Sequence, residues 1–195
     1  MISILDYGAG NLRSVQNTLA EVGAAYKLVD NASGVRTAER LILPGVGHFG
    51  QMMRALDAMR VREVLVEKIR GGTPFLGICL GLQALFADSE EAPGERGLGV
   101  FEGTIRRFAP GLRVPHMGWN TLTVPRESRL VRDGDFMYFA NSYYAPVTPE
   151  TSAVCEYGVP FAAVIESGTI HAVQFHPEKS GPSGLRVVRS FAETC

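Results

Sequence analysis

A cysteine flanked by glycines, Gly77-Ile-Cys79-Leu-Gly81, is the strongest chemical signal in the sequence. It lies where an apolar strand-like run gives way to a helical pattern, which is the setting of a nucleophile elbow. Small residues on both sides let the backbone turn sharply and hold the side chain clear of the chain. A helix starting here would point N–H groups at the sulfur and favour the thiolate, and the Leu80 N–H could bind an oxyanion. The alternative is that Cys79 is only a small buried hydrophobic residue.

A thiol nucleophile needs a base, and the sequence contains four histidines. His176 stands out because Glu178 follows two residues later, so both side chains point the same way in an extended chain that Pro177 stiffens. A carboxylate there could orient the imidazole and stabilise the imidazolium. An unrelated surface pair is the alternative interpretation. The remaining histidines have weaker claims: His48 and His116 have no carboxylate two residues away, and His171 lies within a predicted strand.

The segment Gly45-Val-Gly47-His-Phe-Gly50 matches the glycine pattern of dinucleotide-binding loops, but its context does not. It follows the third predicted strand rather than the first, and no acidic residue ends a strand about 20 residues later. We interpret Pro44-Gly-Val-Gly47 instead as a mobile strand end whose peptide N–H, near Val46, faces the nucleophile. A glycine turn that only redirects the chain is the alternative.

The elements that must position these residues follow an α/β pattern. In the first half, strand-like runs alternate with helical segments, which predicts a mostly parallel sheet with helices on both faces. Predicted strands cover residues 2–7, 26–29, 40–43 and 74–78. Predicted helices cover residues 12–22, with Asn11 as the N-cap, and 49–70, with a break near Met59 and a stop at Gly71-Gly72.

The second half consists of short β-rich runs separated by glycine and proline turns, which predicts additional antiparallel strands. These runs cover residues 99–108, 119–124, 136–140, 153–156, 162–165 and 169–175. A tight turn is expected at residues 166–169 and a closing helix over residues 183–192. Because no linker, repeat or low-complexity tract interrupts the pattern, we expect a single domain over residues 1–195.

Composition restricts the class of protein. A chain of 195 residues with 46% hydrophobic content can bury roughly 70% of its unfolded surface. A net charge of −1 argues against a nucleic-acid partner. No run reaches the ~20 apolar residues that span a bilayer, and the start does not resemble a signal peptide. Three cysteines, Cys79, Cys155 and Cys195, are too few and too scattered for a disulfide framework or a zinc site. We therefore expect a cytoplasmic enzyme or subunit.

Together with Pro44-Gly-Val-Gly47 and His176-Pro-Glu178, Cys79 makes the chain resemble the class I, triad-type glutamine amidotransferases over nearly its whole length. A narrower resemblance, to the glutaminase subunits of imidazole glycerol phosphate synthases, rests on four further segments. These are Asp6-Tyr-Gly-Ala-Gly-Asn11, Pro115-His-Met-Gly-Trp-Asn120, Tyr138-Phe-Ala-Asn-Ser-Tyr-Tyr144 and Phe175-His-Pro-Glu-Lys179. Several motifs in one order are more specific than any single pattern.

The resemblance implies a single-domain amidotransferase fold and a reaction that removes ammonia from glutamine through a thioester. In it, Cys79 would be the nucleophile, His176 the base and then the acid, and Glu178 the residue that orients the imidazole. The main-chain N–H groups of Val46 and Leu80 would bind the oxyanion. Contacts with the substrate are implied for Gly47, Gln83, Ser142 and Tyr143. No metal or organic cofactor is implied.

Because the sequence shows no acceptor site, the ammonia must pass to another polypeptide. The resemblance implies a (β/α)8-barrel cyclase of histidine biosynthesis, in a heterodimer. Residues implied to face this partner are Asn11, Met117, Trp119, Tyr138 and Lys179. From the residues alone, these would be a helix cap, a gap-filler, a core tryptophan, a strand aromatic and a solvated charge. The family often has histidine where this chain has Asn141, so the role of that side chain is left open.

Three alternative functions remain at this point. The chain could be a glutaminase for another acceptor, such as pyridoxal phosphate synthesis, or a cysteine hydrolase of similar fold. It could also be a catalytically silent binding subunit, although an intact set of Cys79, His176 and Glu178 argues against that.

Overall fold

Seven strands form the central sheet of the computed structural model, which describes residues 1–9 and 11–194. Gly10, part of the motif at residues 6–11, and Cys195 lie outside the described residues. The strands in chain order are β1 (Ile2–Leu5), β2 (Tyr26–Val29), β3 (Arg40–Gly45), β4 (Phe75–Cys79), β5 (Phe86–Ser89), β6 (Phe101–Arg107), β7 (His116–Thr121), β8 (Phe136–Asn141), β9 (Tyr143–Tyr144), β10 (Thr151–Glu156), β11 (Pro160–Ser167) and β12 (Ile170–Val173). The helices are α1 (Leu12–Glu21), α2 (Ala32–Arg36), α3 (Phe49–Ala58), α4 (Arg62–Arg70), α5 (Leu80–Gln83) and α6 (Gly181–Thr194), with a 3₁₀ turn at Pro177–Lys179.

The central sheet has the strand order β10-β11-β12-β4-β3-β1-β2. Strands β12, β4, β3, β1 and β2 pair in parallel, whereas β10 with β11 and β11 with β12 are antiparallel. The prediction of a mostly parallel sheet with antiparallel strands in the second half is confirmed. Two smaller sheets, β5-β6-β9 and β7-β8, accompany it. Because β5 and β6 pair in parallel, the expectation of antiparallel hairpins is wrong at that point.

Alternate residues of the central strands face two separate apolar cores, as the period of a strand requires. In β3, Leu41 and Leu43 lie in one core and Ile42 lies in the other. The first core also contains residues of α3 and α4, and the second contains residues of α1 and α6. The expected helices on both faces of the sheet are therefore confirmed.

The predicted break in the helical stretch 49–70 is also confirmed, because α3 ends at Ala58 and α4 begins at Arg62. Between them Arg60 has a φ of 55°, a left-handed conformation that a regular helix does not contain. Helix α4 ends at Arg70, directly before the two glycines that predict its end.

The sequence patterns do not predict two short elements, α2 and β5. Helix α2 has 5 residues and β5 has 4, which is too short for a periodic signal. Helix α2 is fixed by its cap, because the Asn31 side chain accepts a hydrogen bond from the Gly34 N–H at 2.9 Å. The strand expected over residues 119–124 is placed too late in the chain, since β7 runs from His116 to Thr121.

Some general features of the described residues bear on function. No helix among them is long and apolar enough to cross a membrane. The same residues contain no group of three or more His, Cys, Asp and Glu side chains arranged to hold a metal ion. Cys79 and Cys155 are both free, buried thiols.

Three glycines allow β3, β4 and α5 to approach more closely than side chains would permit. A Cβ atom on Gly81 would lie 2.0 Å from the Leu43 carbonyl oxygen. One on Gly77 would lie 2.6 Å from the Gly81 oxygen, and one on Gly45 would lie 2.6 Å from the Gly81 nitrogen. Gly45 of β3 pairs with Cys79 of β4, so the end of β3 lies directly beside the residue that carries the sulfur.

We predict that Gly81→Ala destabilises the chain by about 3 kcal/mol or more, because the added methyl group overlaps a backbone carbonyl that cannot move freely. The matched control is Gly168→Ala, in the expected tight turn between β11 and β12. Gly168 has a φ of 59° and open space around it, so only the backbone conformation is penalised, by about 1 kcal/mol. Urea unfolding of both variants provides the measurement. Equal losses would show that the close approach at Gly81 has no special role.

Candidate active site

Cys79 ends β4 and adopts a φ of 55° and a ψ of −106°. A non-glycine residue at positive φ costs on the order of 1–3 kcal/mol and persists only where its surroundings enforce it. The predicted sharp turn at this residue is therefore confirmed. The helix that follows, α5, is a single turn. A helix of this length has few aligned N–H groups that can stabilise the sulfur.

His176 and Glu178 form a buried pair, in which the imidazole Nδ1 lies 2.8 Å from the Glu178 Oε1. Their side chains are 3% and 2% exposed, so the contact is shielded from water. The predicted reason for their alignment is wrong, because the chain is not extended through them. Pro177 instead begins a 3₁₀ turn after His176, and this turn brings Glu178 back against the ring. The carboxylate occupies Nδ1 and leaves the other ring nitrogen for Cys79.

The backbone of His176 is tied to β8 from both sides. Its N–H donates to the Tyr138 carbonyl at 2.9 Å. Its carbonyl accepts a hydrogen bond from the Ser180 hydroxyl at 2.7 Å, and the same hydroxyl accepts from the Tyr138 N–H at 3.0 Å. Serine just before a helix usually caps that helix. Here the Ser180 hydroxyl fixes the position of the imidazole relative to the sheet instead.

Opposing effects determine the charge of His176. Burial lowers its pKa, but the charge of the Cys79 sulfur, a hydrogen bond to that sulfur and the Glu178 carboxylate together raise the pKa to about 10. The imidazole is therefore protonated at neutral pH beside the Cys79 sulfur. This is the electrostatic arrangement of an activated cysteine nucleophile.

A cavity of about 230 Å³ opens beside Cys79 and His176. The structure brings most of the predicted site residues to its wall. These are Val46, Gly47, Leu80, Gln83, Ser142, Tyr143 and Lys179. Glu178 lies behind His176 rather than on the wall. Asn141, whose role the sequence leaves open, also lines the cavity.

Two buried glutamines connect the cavity wall to the nucleophile. Gln83 donates from Nε2 to the Tyr143 carbonyl at 2.9 Å and to Gln174 Oε1 at 3.0 Å. Gln174 in turn places its Nε2 3.6 Å from the Cys79 sulfur. Both donors of Gln83 are therefore used internally, so only its Oε1 is left to meet a substrate. The sequence gives no role to Gln174, because its contact with Cys79 spans 95 residues.

Glu91 is a second wall residue that the sequence analysis misses. Its Oε2 accepts a hydrogen bond from the Phe49 N–H at 2.7 Å, at the start of α3. The carboxylate is thus held in place at the edge of the cavity. An acidic residue two positions after β5 was the available signal, but β5 itself is not predicted.

Tyr7 lies at the end of β1, next to the glycine-flanked end of β3. Its hydroxyl is buried and, among the described residues, makes no hydrogen bond. Burial raises its pKa to about 12, the approaching Val46 amide lowers the pKa, and the Cys79 charge raises it again.

The residues predicted to face a partner lie outside the cavity, apart from Lys179. Met117, Trp119 and Phe136 are 65%, 47% and 52% exposed and form an apolar ridge on the β7-β8 sheet. The Trp119 and Phe136 rings stack at 5.6 Å. Tyr138 contacts Trp119 edge-on, and Lys179 places its Nζ 5.7 Å from the Tyr138 ring. Trp119 is therefore not a core residue.

Asn11 occupies the N-cap position of α1 as predicted, but its side chain makes no capping hydrogen bond. Its Nδ2 lies instead 3.5 Å from Glu178 Oε1, at the long limit of a hydrogen bond. Asn11 therefore lies between the surface and the buried carboxylate.

The other three histidines take structural positions. His48 caps α3, with its Nδ1 accepting from the Gly50 N–H at 3.1 Å. His116 stacks on Tyr157 at 4.0 Å, and burial lowers its pKa. His171 is buried in β12, which also lowers its pKa. These positions are consistent with the prediction that His176, rather than another histidine, is the base for Cys79.

Comparison with known proteins assigns the whole chain to one sequence family model. The model of the class-I glutamine amidotransferases matches residues 3–195. The chain is 47% identical to the "Imidazole glycerol phosphate synthase subunit HisH" of Methanothermobacter thermautotrophicus, over 99% of this chain and 98% of that protein. The same-named protein of Deinococcus radiodurans is 46% identical, over 97% of this chain and 92% of that protein. The "Imidazole glycerol phosphate synthase hisHF, chloroplastic" of Arabidopsis thaliana is 46% identical over 98% of this chain and 34% of that protein.

Solved structures share the fold at lower sequence identity. A structure described as a glutamine amidotransferase superposes with a TM-score of 0.77 at 21% identity, covering 97% of this chain and 96% of that one. A structure of PurLQS from Thermotoga maritima gives 0.75 at 18% identity, covering 97% and 96%.

We predict that the His176 ring stays protonated at pH 8, because a pKa of about 10 places its deprotonation two units higher. His116 and His171 should be neutral at the same pH, since burial lowers both of their pKa values. In Cys79→Ala the charge and hydrogen bond of the sulfur are gone, so the pKa of His176 should fall. Nitrogen-15 NMR of the histidine rings from pH 5 to 10 measures all three. A neutral His176 at pH 8 in the wild-type chain would contradict the raised pKa of this residue.

Proposed function

The chain belongs to the class I glutamine amidotransferases, and we propose that it is the glutaminase subunit of an imidazole glycerol phosphate synthase. It hydrolyses glutamine to glutamate and delivers the ammonia to a synthase component in histidine biosynthesis. The observation that carries the proposal is the buried row of Glu178, His176 and Cys79 at one wall of a cavity. The names of the relatives support this acceptor over pyridoxal phosphate synthesis.

The first half of the reaction forms a thioester. The Cys79 thiolate attacks the side-chain amide carbon of glutamine, and negative charge moves to the amide oxygen. Main-chain N–H groups of Leu80 and Val46 are the proposed donors to that oxyanion. Collapse of the intermediate breaks the carbon–nitrogen bond, and His176 gives its proton to the departing ammonia.

The second half regenerates the thiolate. His176, now neutral, takes a proton from water, and the water oxygen attacks the thioester carbon. The carbon–sulfur bond breaks, glutamate leaves, and the proton on His176 restores the starting ion pair. Glu178 holds the same ring nitrogen throughout and stabilises the imidazolium each time it forms.

The polar wall of the cavity fits the other end of glutamine. Glu91 is the acidic group on that wall suited to the α-ammonium, and its second contact, with Phe49, keeps it in place. Gly47, Ser142 and Tyr143 are the proposed partners of the α-carboxylate, and the Gln83 Oε1 can accept from the side-chain amide. A charged partner for the α-ammonium and neutral partners for the α-carboxylate would favour a free amino acid over a peptide.

The apolar ridge of Met117, Trp119 and Phe136 is the proposed docking surface for the synthase component. Exposed aromatic and methionine side chains of this kind are typical of interface centres. Tyr138 and Lys179 continue the surface toward the cavity mouth, and Asn11 extends it toward Glu178. We propose that the component is a (β/α)8-barrel cyclase in a heterodimer, as the sequence resemblance implies. The Arabidopsis relative, named hisHF and about three times longer than its matching part, fits a glutaminase that works with a second component.

We predict that Cys79→Ala abolishes glutamine hydrolysis, because loss of a triad nucleophile costs on the order of 10⁶ in kcat. The same variant mixed with the cyclase should still form product from added ammonia, since the acceptor chemistry lies in the other component. Glutamate release and product formation are measured side by side. Glutaminase activity within tenfold of wild type would refute the nucleophile assignment.

We also predict that the partner controls the oxyanion donor at Val46. The free subunit should hydrolyse glutamine roughly 10²–10³ times more slowly than the complex carrying its own substrate, which is the worth of one oxyanion donor. Rates are measured for the subunit alone, with empty partner and with loaded partner. Equal rates in the three states would show that the oxyanion site is already formed in the free chain.

Gly47 is the residue to change in this test, because its φ of 96° and open surroundings permit a peptide rotation. A substitution at Gly45 would collide with α5 and confuse the result. Gly47→Ala should alter the activation ratio more than the KM for glutamine. Gly168→Ala, at another positive-φ glycine far from Cys79 in sequence, is the control and should leave the ratio unchanged.

A further inference from the structure

The side chain of Gln174 is fully buried and lies against the nucleophile. It follows β12 directly, is 0% exposed, and places its Nε2 3.6 Å from the Cys79 sulfur. Its Oε1 accepts from the Gln83 Nε2 at 3.0 Å. Each end of this amide therefore has a defined neighbour, and one of them is the reacting atom.

The orientation of both amides follows from a single backbone carbonyl. The Tyr143 carbonyl can only accept hydrogen bonds, so Gln83 must turn its NH₂ group toward it. The second hydrogen of that NH₂ group points at Gln174, which must then present its oxygen. The NH₂ group of Gln174 is left facing the sulfur, and a reversed amide would oppose donor to donor.

Asn141 holds the same carbonyl from another direction. Its Nδ2 donates to the Tyr143 oxygen at 2.9 Å, so two side-chain donors meet on one acceptor. This gives Asn141 a role that the sequence resemblance leaves open. It anchors the first member of the hydrogen-bond chain that ends at Cys79.

We propose that Gln174 is a further catalytic residue, whose side-chain N–H donates to the Cys79 sulfur and stabilises the thiolate. Gln83 and the Tyr143 carbonyl act as positioning groups that enforce this orientation. The inference rests on the proposed function, since it assigns a role at the same sulfur. A hydrogen bond to a charged form favours that form, and a buried one of this kind is worth about 10- to 100-fold in an equilibrium.

Other charged and titratable side chains surround the Cys79 sulfur, and they must be left unchanged when the role of Gln174 is tested. His176 faces it from beyond β12, with Glu178 behind the ring, and Tyr7 faces it from the end of β1. Glu91 and Lys179 line the same cavity. None of these residues is altered in the variants below.

The test is the pH dependence of Cys79 alkylation by iodoacetamide, followed by mass spectrometry of the peptide that contains Cys79. In Gln174→Leu the rate at pH 7 should fall by about 10-fold or more, and the rate profile should move to higher pH. Gln83→Leu should move it in the same direction by less, because the Gln174 donor remains but is no longer held. Gln51→Leu, at an exposed position of α3, is the control and should match wild type.

Steady-state glutaminase assays on the same proteins separate binding from chemistry. Gln174→Leu should lower kcat about 10-fold or more while the KM for glutamine changes by less than about twofold. In the wild-type chain, the Gln174 side-chain amide signals in NMR should move when the sulfur is alkylated. This measurement needs no variant, so it applies even if Gln174→Leu does not fold.

Two failures are distinguishable. An alkylation profile unchanged in Gln174→Leu, or amide signals unchanged on alkylation of the wild type, would overturn the role of Gln174 while leaving the glutaminase proposal intact. A wild-type chain that is alkylated at Cys79 as expected but releases no glutamate, alone or with a cyclase, would overturn the proposed function instead.

Discussion

The backbone of Cys79 is held at positive φ because β3, β4 and α5 meet there with almost no side chain between them. Without a Cβ atom, Gly81 lets the one-turn helix lie against β3, and Gly77 lets the same helix lie against β4. Leu43 and Leu76, both fully buried, hold the two strands in place around this contact. The strain at Cys79 is thus maintained by the core of the sheet, and the sulfur is presented at the carboxyl end of β4, the middle strand of the sheet, as a result.

The two strands beside β4 provide different kinds of support to this residue. On one side, β12 leads into Gln174 and His176, which are fixed by hydrogen bonds to Gln83 and to β8. On the other side, β3 ends at Gly45, and Gly47 just beyond it has a φ of 96° and open space around it. In the proposed mechanism, proton transfer therefore lies on the rigid side, and the oxyanion donor proposed at Val46 lies on the side that can rotate. Since β8 contacts the rigid side and also bears exposed Phe136, the proposed docking surface adjoins the strand that holds the His176 backbone.

The sequence predicts the parts of the site that depend on local pattern. Cys79 is marked by its neighbouring glycines, and His176 and Glu178 by their spacing, although a 3₁₀ turn rather than an extended chain brings them together. The alternation of strands and helices similarly predicts the sheet and the break at Met59. Gln174 and Glu91 carry no local signal, because their contacts join residues 95 and 42 positions apart. For Asn11 the local pattern misleads in a different way. It correctly predicts the N-cap position, but the side chain makes no capping hydrogen bond and lies 3.5 Å from Glu178 Oε1 instead.

The reactivity of Cys79 also bears on how the chain reacts with oxidants. Peroxide reacts with thiolates, so a cysteine whose thiolate attacks glutamine is open to conversion into a sulfenic acid by the same property. Cys155 is protected from this reaction, because burial raises its pKa to about 12 and keeps it as a thiol. Oxidation of Cys79 would therefore stop ammonia production, while Cys155 would remain a thiol. A glutamine molecule bound over the Cys79 sulfur would protect it from oxidation.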